Sequence, residues 1–80
     1  MHELGVLRQA IKTVNQIAEK NGIQLIRFVT LEIGNESSFV PEFLSKLYPI
    51  AVENFPRLMQ STLKIERISG KSLNIKEIGY

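Results

Sequence analysis

The sequence predicts a small α+β domain in which two helices pack on one face of a three-stranded sheet, in the order α-β-α-β-β. Three patterns support this prediction: a long apolar run at helical spacing, a β-branched run after it, and two short alternating runs near residue 80. Placing both helices over one sheet face is the economical way to bury their apolar sides.

The first helix is predicted from about Leu4 to Asn21. Its apolar residues recur at steps of three and four positions and so form one helical face: Leu4, Leu7, Ile11, Val14 and Ala18. Glu3 near the start and Lys20 near the end both complement the helix dipole. Gly22 suits the left-handed conformation that often follows a last helical turn, so we expect the helix to stop there.

The first strand is predicted over residues 23–33, where β-branched and aromatic residues are frequent. Alternation places one set of apolar residues on a common face: Leu25, Val29, Leu31 and Ile33. Ile26 and Phe28 are expected on the opposite face. Apolar residues on both faces indicate a central strand, or one that a partner partly covers. Gly34 is expected to end this strand before a polar loop.

The second helix is predicted to open at Val40-Pro41-Glu42, because proline is well tolerated at the first helical position. The residues expected on its buried stripe are Val40, Phe43, Leu44, Leu47, Ala51 and Phe55, with Phe39 and Tyr48 also expected in the core. Pro49 lies inside this pattern and is expected to kink or split the helix, because it removes an amide donor. Pro56 is expected to end the element.

The last part of the chain predicts a β-hairpin. Leu63 and Ile65 alternate before the turn at 69–72, and Leu73, Ile75 and Ile78 follow it. Two alternating runs joined by a short glycine-containing turn are typical of paired antiparallel strands.

Length and composition predict one domain over residues 1–80, without disulfides or cysteine-ligated zinc, because the sequence has no cysteine. No apolar run approaches the roughly 20 residues of a membrane span, so we expect a cytoplasmic protein that does not bind membranes. The net charge of +2 is too small to indicate nucleic-acid binding, and a basic face with stacking aromatic rings is not evident. Homo-oligomerisation stays open.

Residues Met1, His2 and Glu3 place an α-amine, backbone amide nitrogens and the only histidine of the protein in one tripeptide. Nitrogen-rich tetragonal sites suit Ni(II) or Cu(II), whereas Mg and Ca prefer oxygen ligands. The initiator methionine is expected to be kept, because histidine is too large a second residue for its removal. Taken alone, the tripeptide leaves two interpretations open: a metal site, or an ordinary surface histidine before a helix.

Further blocks of sequence carry a resemblance to a known family. They are Met1-His2-Glu3-Leu4, Leu31-Glu32-Ile33-Gly34, Val40-Pro41-Glu42-Phe43-Leu44 and the tail 69–78. In order and spacing they resemble the nickel domain of the HypA/HybF hydrogenase-maturation family, along the length of the chain. The resemblance implies a metallochaperone that holds Ni(II) transiently and passes it toward a nickel enzyme such as nickel-iron hydrogenase, with a GTPase partner or the target enzyme itself. The ligands it implies are the Met1 amine, the backbone nitrogens of His2 and Glu3, and the His2 imidazole.

One departure from that family is large. Its members carry a zinc module with two cysteine pairs between the last two strands, whereas here residues 62–68 run almost directly into Ser69. The sequence therefore predicts a nickel domain without the zinc module and without zinc. It shows no nucleophile arrangement and no phosphate-binding loop, so we do not expect an enzyme. Two alternatives stay open: a HypA-like interaction module that has lost metal binding, and an unrelated small α/β binding domain.

Overall fold

A computed structural model describes residues 3–80 of the chain. The elements are helix α1 (Glu3–Lys20), strand β1 (Phe28–Gly34), helix α2 (Pro41–Ala51), strand β2 (Thr62–Ile68) and strand β3 (Leu73–Gly79), with a short 3-10 turn at Pro56–Leu58 before β2. The predicted α+β class and the order α-β-α-β-β are confirmed. No helix within residues 3–80 is long and apolar enough to span a bilayer.

Helix α1 ends as its sequence predicts. Gly22 has a φ of +67°, which is the left-handed conformation expected after the last turn. The amide of Ile23 donates to the carbonyl of Ala18 at 2.9 Å, and the amide of Gly22 donates to Glu19 at 3.3 Å. These two bonds satisfy carbonyls that the end of a helix leaves without partners.

The core lies between the helices and one face of the sheet. It joins Leu7, Ile11, Val14 and Ala18 of α1 to Leu44, Tyr48 and Ala51 of α2 and to Val29, Leu31 and Ile33 of β1, with Ile26, Val52 and Leu58. Burying a large aliphatic side chain contributes about 1.5–3 kcal/mol, so these contacts fix both helices on the sheet. The predicted core face of α1 is confirmed, and so is that of β1 for Val29, Leu31 and Ile33.

Strand β1 is the central strand, as predicted. The order in the sheet is β2-β1-β3, with β1 parallel to β2 and antiparallel to β3. A parallel pair needs a crossover connection, which α2 provides between β1 and β2. The strand begins five residues later than predicted, at Phe28, and the predicted facing of Leu25 and Ile26 is wrong. Leu25 is exposed and Ile26 is buried, because residues 23–27 lie outside the sheet and Ile26 instead donates to the carbonyl of Arg57.

Helix α2 differs from its prediction in the side chains that it buries, and of the predicted kink or split at Pro49 the split does not occur. It continues through Pro49 without splitting. Because proline has no amide hydrogen, the carbonyl of Ser45 lacks the helical hydrogen bond that residue 49 would otherwise donate. Ser45 is an exposed residue, so water can take the place of that donor. The buried side carries Leu44, Tyr48 and Ala51, whereas Phe43 is 47% exposed and Val40 is 49% exposed. The predicted burial of Val40 and Phe43 is therefore wrong, because Tyr48 rather than Phe43 sets the core-facing side.

The predicted β-hairpin is wrong. Strands β2 and β3 lie on opposite sides of β1, and the connection 69–72 crosses the end of β1 between them. At this crossing a Cβ on Gly34 would overlap the carbonyl oxygen of Gly70, so glycine is needed where the two backbones meet. The amide of Glu36 donates to that same oxygen at 2.9 Å. Gly70 itself has a φ of +94°, which favours glycine.

Candidate metal centre

The predicted metal site lies at the start of α1. Met1 and His2 fall outside the described residues, so their placement as ligands stays a prediction. Glu3 is the first residue of α1 and is partly buried. Its carboxylate lies in the first turn, where negative charge is favourable for the helix dipole.

The backbone nitrogen of Glu3 belongs to the first residue of α1. The predicted ligand set therefore ends where the helix begins.

Positive side chains follow the start of α1. A cleft of about 450 Å³ separates α1 from the end of α2, and Arg8 and Lys12 line it together with Gly5, Asn54 and Phe55. Arg8 and Lys12 are both exposed and lie one turn apart on α1. They add a positive field to that of the helix N-terminus, which opposes the approach of a free cation to this part of the surface. The sequence analysis did not single out these two residues, although their four-residue spacing on a helix was visible.

The acidic residues of the other family-like blocks do not join Glu3. Glu32 lies on the sheet face opposite the helices, in register with Glu66 of β2. Glu42 lies in the first turn of α2, whereas the start of α1 borders the other end of that helix. Within residues 3–80, no group of three or more histidine, cysteine, aspartate or glutamate side chains is arranged to hold a metal ion.

Three charged residues on the outer face of the sheet have partners within the fold. Nζ of Lys76 on β3 donates to Oε1 of Glu66 on β2 at 2.7 Å, so the pair reaches across β1. The hydrogen bond and charge of Glu66 raise the pKa of Lys76. On the same face Nζ of Lys64 lies 3.9 Å from the centre of the Phe28 ring, a cation–π contact. These charges therefore have structural partners.

Comparison with known proteins identifies the family. The family model for hydrogenase/urease nickel incorporation, metallochaperone, hypA matches residues 1–78. The chain belongs to the HypA family. This confirms the resemblance found in the sequence and removes the alternative of an unrelated α/β domain.

Two HypA proteins give the scale of the similarity. The hydrogenase maturation factor HypA of Deinococcus radiodurans is 31% identical over 70 residues, which cover 88% of this chain. The chain spans 58% of the length of that relative. The solution structure of the Ni metallochaperone HypA from Helicobacter pylori has the same fold, with a TM-score of 0.77 at 17% identity. That match covers 96% of this chain and 88% of the other chain.

Proposed function

We propose that this HypA-family protein is a nickel carrier that binds Ni(II) transiently at its N-terminus and delivers it to a nickel enzyme such as nickel-iron hydrogenase. The observation that carries the proposal is the match of the nickel-incorporation family over residues 1–78, which includes the only histidine, His2. The ligands are the Met1 amine, the backbone nitrogens of His2 and Glu3, and the His2 imidazole. Delivery involves other maturation factors, such as a GTPase, or the target enzyme.

The charge balance of the complete site supports this ligand set. Two deprotonated amides neutralise the charge of a divalent ion, so metal and ligands together carry no net charge. Neutralisation limits the penalty from the positive end of α1, which reaches about 0.3–1 kcal/mol for a full exposed charge.

Arg8 and Lys12 are expected to slow the arrival of nickel. Their positive field repels the divalent ion before the amides lose their protons, whereas the complete, neutral site is largely insensitive to that field. Replacing both with glutamine is expected to raise the association rate of nickel, and the increase should shrink in high salt. Lys46→Gln on the exposed side of α2 is the control, because it removes a positive charge from another part of the surface. An unchanged association rate in the double variant would contradict this electrostatic argument.

The binding test uses the untagged protein with Met1 as its first residue. Titration with Ni(II) at mildly alkaline pH is expected to produce a d–d absorption band that saturates at one ion per chain. Both His2→Ala and a Gly-Ser extension before Met1 should abolish the band, whereas the same extension after Tyr80 should leave it intact. If the wild-type chain gives no band, or if both changes at the N-terminus leave the affinity unchanged, the proposal is wrong. The family member would then be a module that no longer binds metal.

The proposal also predicts the direction of the pH dependence. Nickel displaces protons from the amine, whose unperturbed pKa is about 7.7–8.0, and from two backbone amides. Affinity should therefore rise steeply with pH. Isothermal titration calorimetry in buffers of different ionisation enthalpy would count the released protons.

A further inference from the structure

Strand β3 has an open edge with an apolar groove beside it. One edge of β3 pairs with β1, and no strand within residues 3–80 pairs with the other. Between this edge and α1 lies a groove of about 500 Å³, whose apolar lining comes from Val6, Ala10, Leu73 and Ile75. An open strand edge presents unpaired backbone donors and acceptors to any strand that fits it.

A β-bulge gives this edge an unusual distribution of side chains. Thr30 of β1 faces Glu77 and the next residue, Leu31, faces Ile75, so Lys76 is the extra residue. Lys76 and Glu77 consequently lie on the same, solvent-exposed side of the sheet. Ile75 and Ile78 both pack against the core on the other side. Residues at equal distances before and after the bond between Lys76 and Glu77 therefore point to the same side of the sheet.

We propose that this edge pairs with β3 of a second copy of the chain, antiparallel, around a two-fold axis at the Lys76–Glu77 bond. In this register Lys76 lies opposite Glu77 of the second copy, and the pair occurs twice. Ile75 lies opposite Ile78 of the second copy on the core side, also twice. Leu73 comes opposite Tyr80, which is 76% exposed in the single chain. Without the bulge, neighbouring residues such as Lys76 and Glu77 would point to opposite sides of the sheet. This register would then place core-facing residues of one copy opposite solvent-facing residues of the other.

Charge complementarity favours a second copy as the occupant. Opposite charges directly across an antiparallel pair are stabilising, and here one strand supplies both signs in the order that a two-fold axis requires. In the single chain Lys76 donates to Glu66 across β1, so its side chain must turn back toward the open edge to reach Glu77 of the second copy. The Lys76–Glu66 pair is exposed, and exposed ion pairs contribute little to stability, so this exchange costs little.

Helix α1 extends the same surface. Val6, Ala10 and Thr13 line the groove, and Ile17 continues their helical face and is 40% exposed. Two-fold pairing of β3 would bring this face of α1 toward its equivalent in the second copy. The groove between α1 and β3 would then be covered, and the two sheets would form one continuous six-stranded sheet.

The other open edge of the sheet fits a second copy less well. On β2, Arg67 is in register with Ile33 and so stands in the row of core-facing residues. Its Nε donates to Asn35 at 2.9 Å, which fixes a charged group where apolar contacts would be needed. We therefore assign the pairing to β3. This proposal does not depend on nickel binding.

The first test is the oligomeric state of the metal-free full chain. A single strand pair with one helix face falls among small interfaces, below about 1,200 Å² in total, so we expect a dimer that dissociates on dilution. Sedimentation velocity from about 1 μM to 1 mM should show a shift from monomer to dimer. A protein that remains monomeric over this range would overturn the proposal.

Charge reversal then tests the register. Glu77→Lys places four positive charges at the axis and should weaken the dimer about tenfold or more, and Lys76→Glu should do the same with negative charges. An equimolar mixture of the two variants restores every opposite pair and should recover dimers. Glu53→Lys, an exposed change elsewhere, is the control, and circular dichroism checks that each variant is folded. If Glu77→Lys dimerises like wild type, or if the mixture stays monomeric, the proposed pairing is wrong.

Discussion

Replacing Gly34 with alanine tests the crossing of the β2–β3 connection over β1. In most strands this substitution is favourable, because glycine costs about 0.5–1 kcal/mol relative to alanine in a strand interior. Here the new methyl group would meet the backbone of Gly70 and Lys71, which are not flexible side-chain ends. The connection must therefore move away from β1.

The cost follows from what holds the connection in place. Forcing an extra methyl group into a packed site costs typically about 1–3 kcal/mol. The displaced oxygen of Gly70 accepts the amide of Glu36, and the neighbouring amide of Gly34 donates to Ser72 at 2.8 Å. Losing one such bond adds about 0.5–1.5 kcal/mol. The combined loss is about 1.5–4.5 kcal/mol, or a melting temperature lower by at least about 6 °C for a domain of this size.

The same substitution elsewhere in the chain provides the control. Gly5 lies in α1 with nothing within 4 Å of a new Cβ, so Gly5→Ala should stabilise the protein by about 0.5–1 kcal/mol. Urea denaturation and thermal melting, both followed by circular dichroism, compare the two variants with wild type. The reasoning is refuted if Gly34→Ala is as stable as wild type, which is the result a β2–β3 hairpin would give.

Three further substitutions probe the contacts around the second helix. Tyr48→Phe removes a hydroxyl that lies 2.7 Å from Oγ of Ser61 and should cost about 0.5–1.5 kcal/mol at neutral pH. Burial raises the pKa of Tyr48 above its ordinary value of 10.0, against a smaller lowering by the Ser61 hydrogen bond, so the neutral phenol stabilises the fold below pH 10 and that contribution is lost as pH rises through the raised pKa. Urea titrations should show the advantage of wild type over Tyr48→Phe shrinking in alkali; a constant difference would contradict the burial argument. Leu58→Ala, at a fully buried site, should lower the free energy of unfolding by about 2–5 kcal/mol, and a loss below 1 kcal/mol would mean that the 3-10 turn is not part of the core. Arg57→Ala removes a 2.9 Å bond to the carbonyl of Ile23 and should cost about 1.5–3 kcal/mol, with faster amide exchange at residues 23–27 as the local sign; unchanged exchange there would count against this role.

The elements could be predicted from the sequence because each has a clear period. The three- and four-residue steps of α1 and the glycine after it define one helix with both ends. The alternation of apolar and polar residues predicts β2 and β3 equally well. It does not predict which strands pair, because this alternation is the same in two edge strands as in the two strands of a hairpin.

The order of the strands depends on β1 and on Gly34. Strand β1 buries Thr30 as well as its core-facing residues, so it needs a neighbour on each side. A four-residue connection is long enough to pass over one strand, since two strand spacings are only about 9–10 Å. The sequence signal for this crossing was the glycine at the end of β1, which the hairpin interpretation treated as a simple stop.

The candidate metal site, like the fold, could be predicted from the sequence only in part. The tripeptide chemistry at Met1 and His2 could be predicted from residue types alone, because its donors are adjacent in the chain. The positive surroundings could not, because Arg8 and Lys12 gain their significance from the way α1 packs against the end of α2. The burial of Phe43 was also mispredicted. Phe43 and Tyr48 are similar in character and both were predicted to be buried, and only tertiary packing decides that Tyr48 is buried and Phe43 is not.

The central position of β1 also affects how the chain folds during synthesis. Both neighbours of β1 come later in the sequence, β2 after the crossover helix and β3 after the connection at Gly70. On the ribosome, β1 therefore emerges with both edges bare, and one of them stays bare until Gly79 has left the exit tunnel. Such long-range pairing is slow and leaves nascent chains prone to aggregation. We expect α1, whose contacts are local, to shield the apolar side of β1 during this interval.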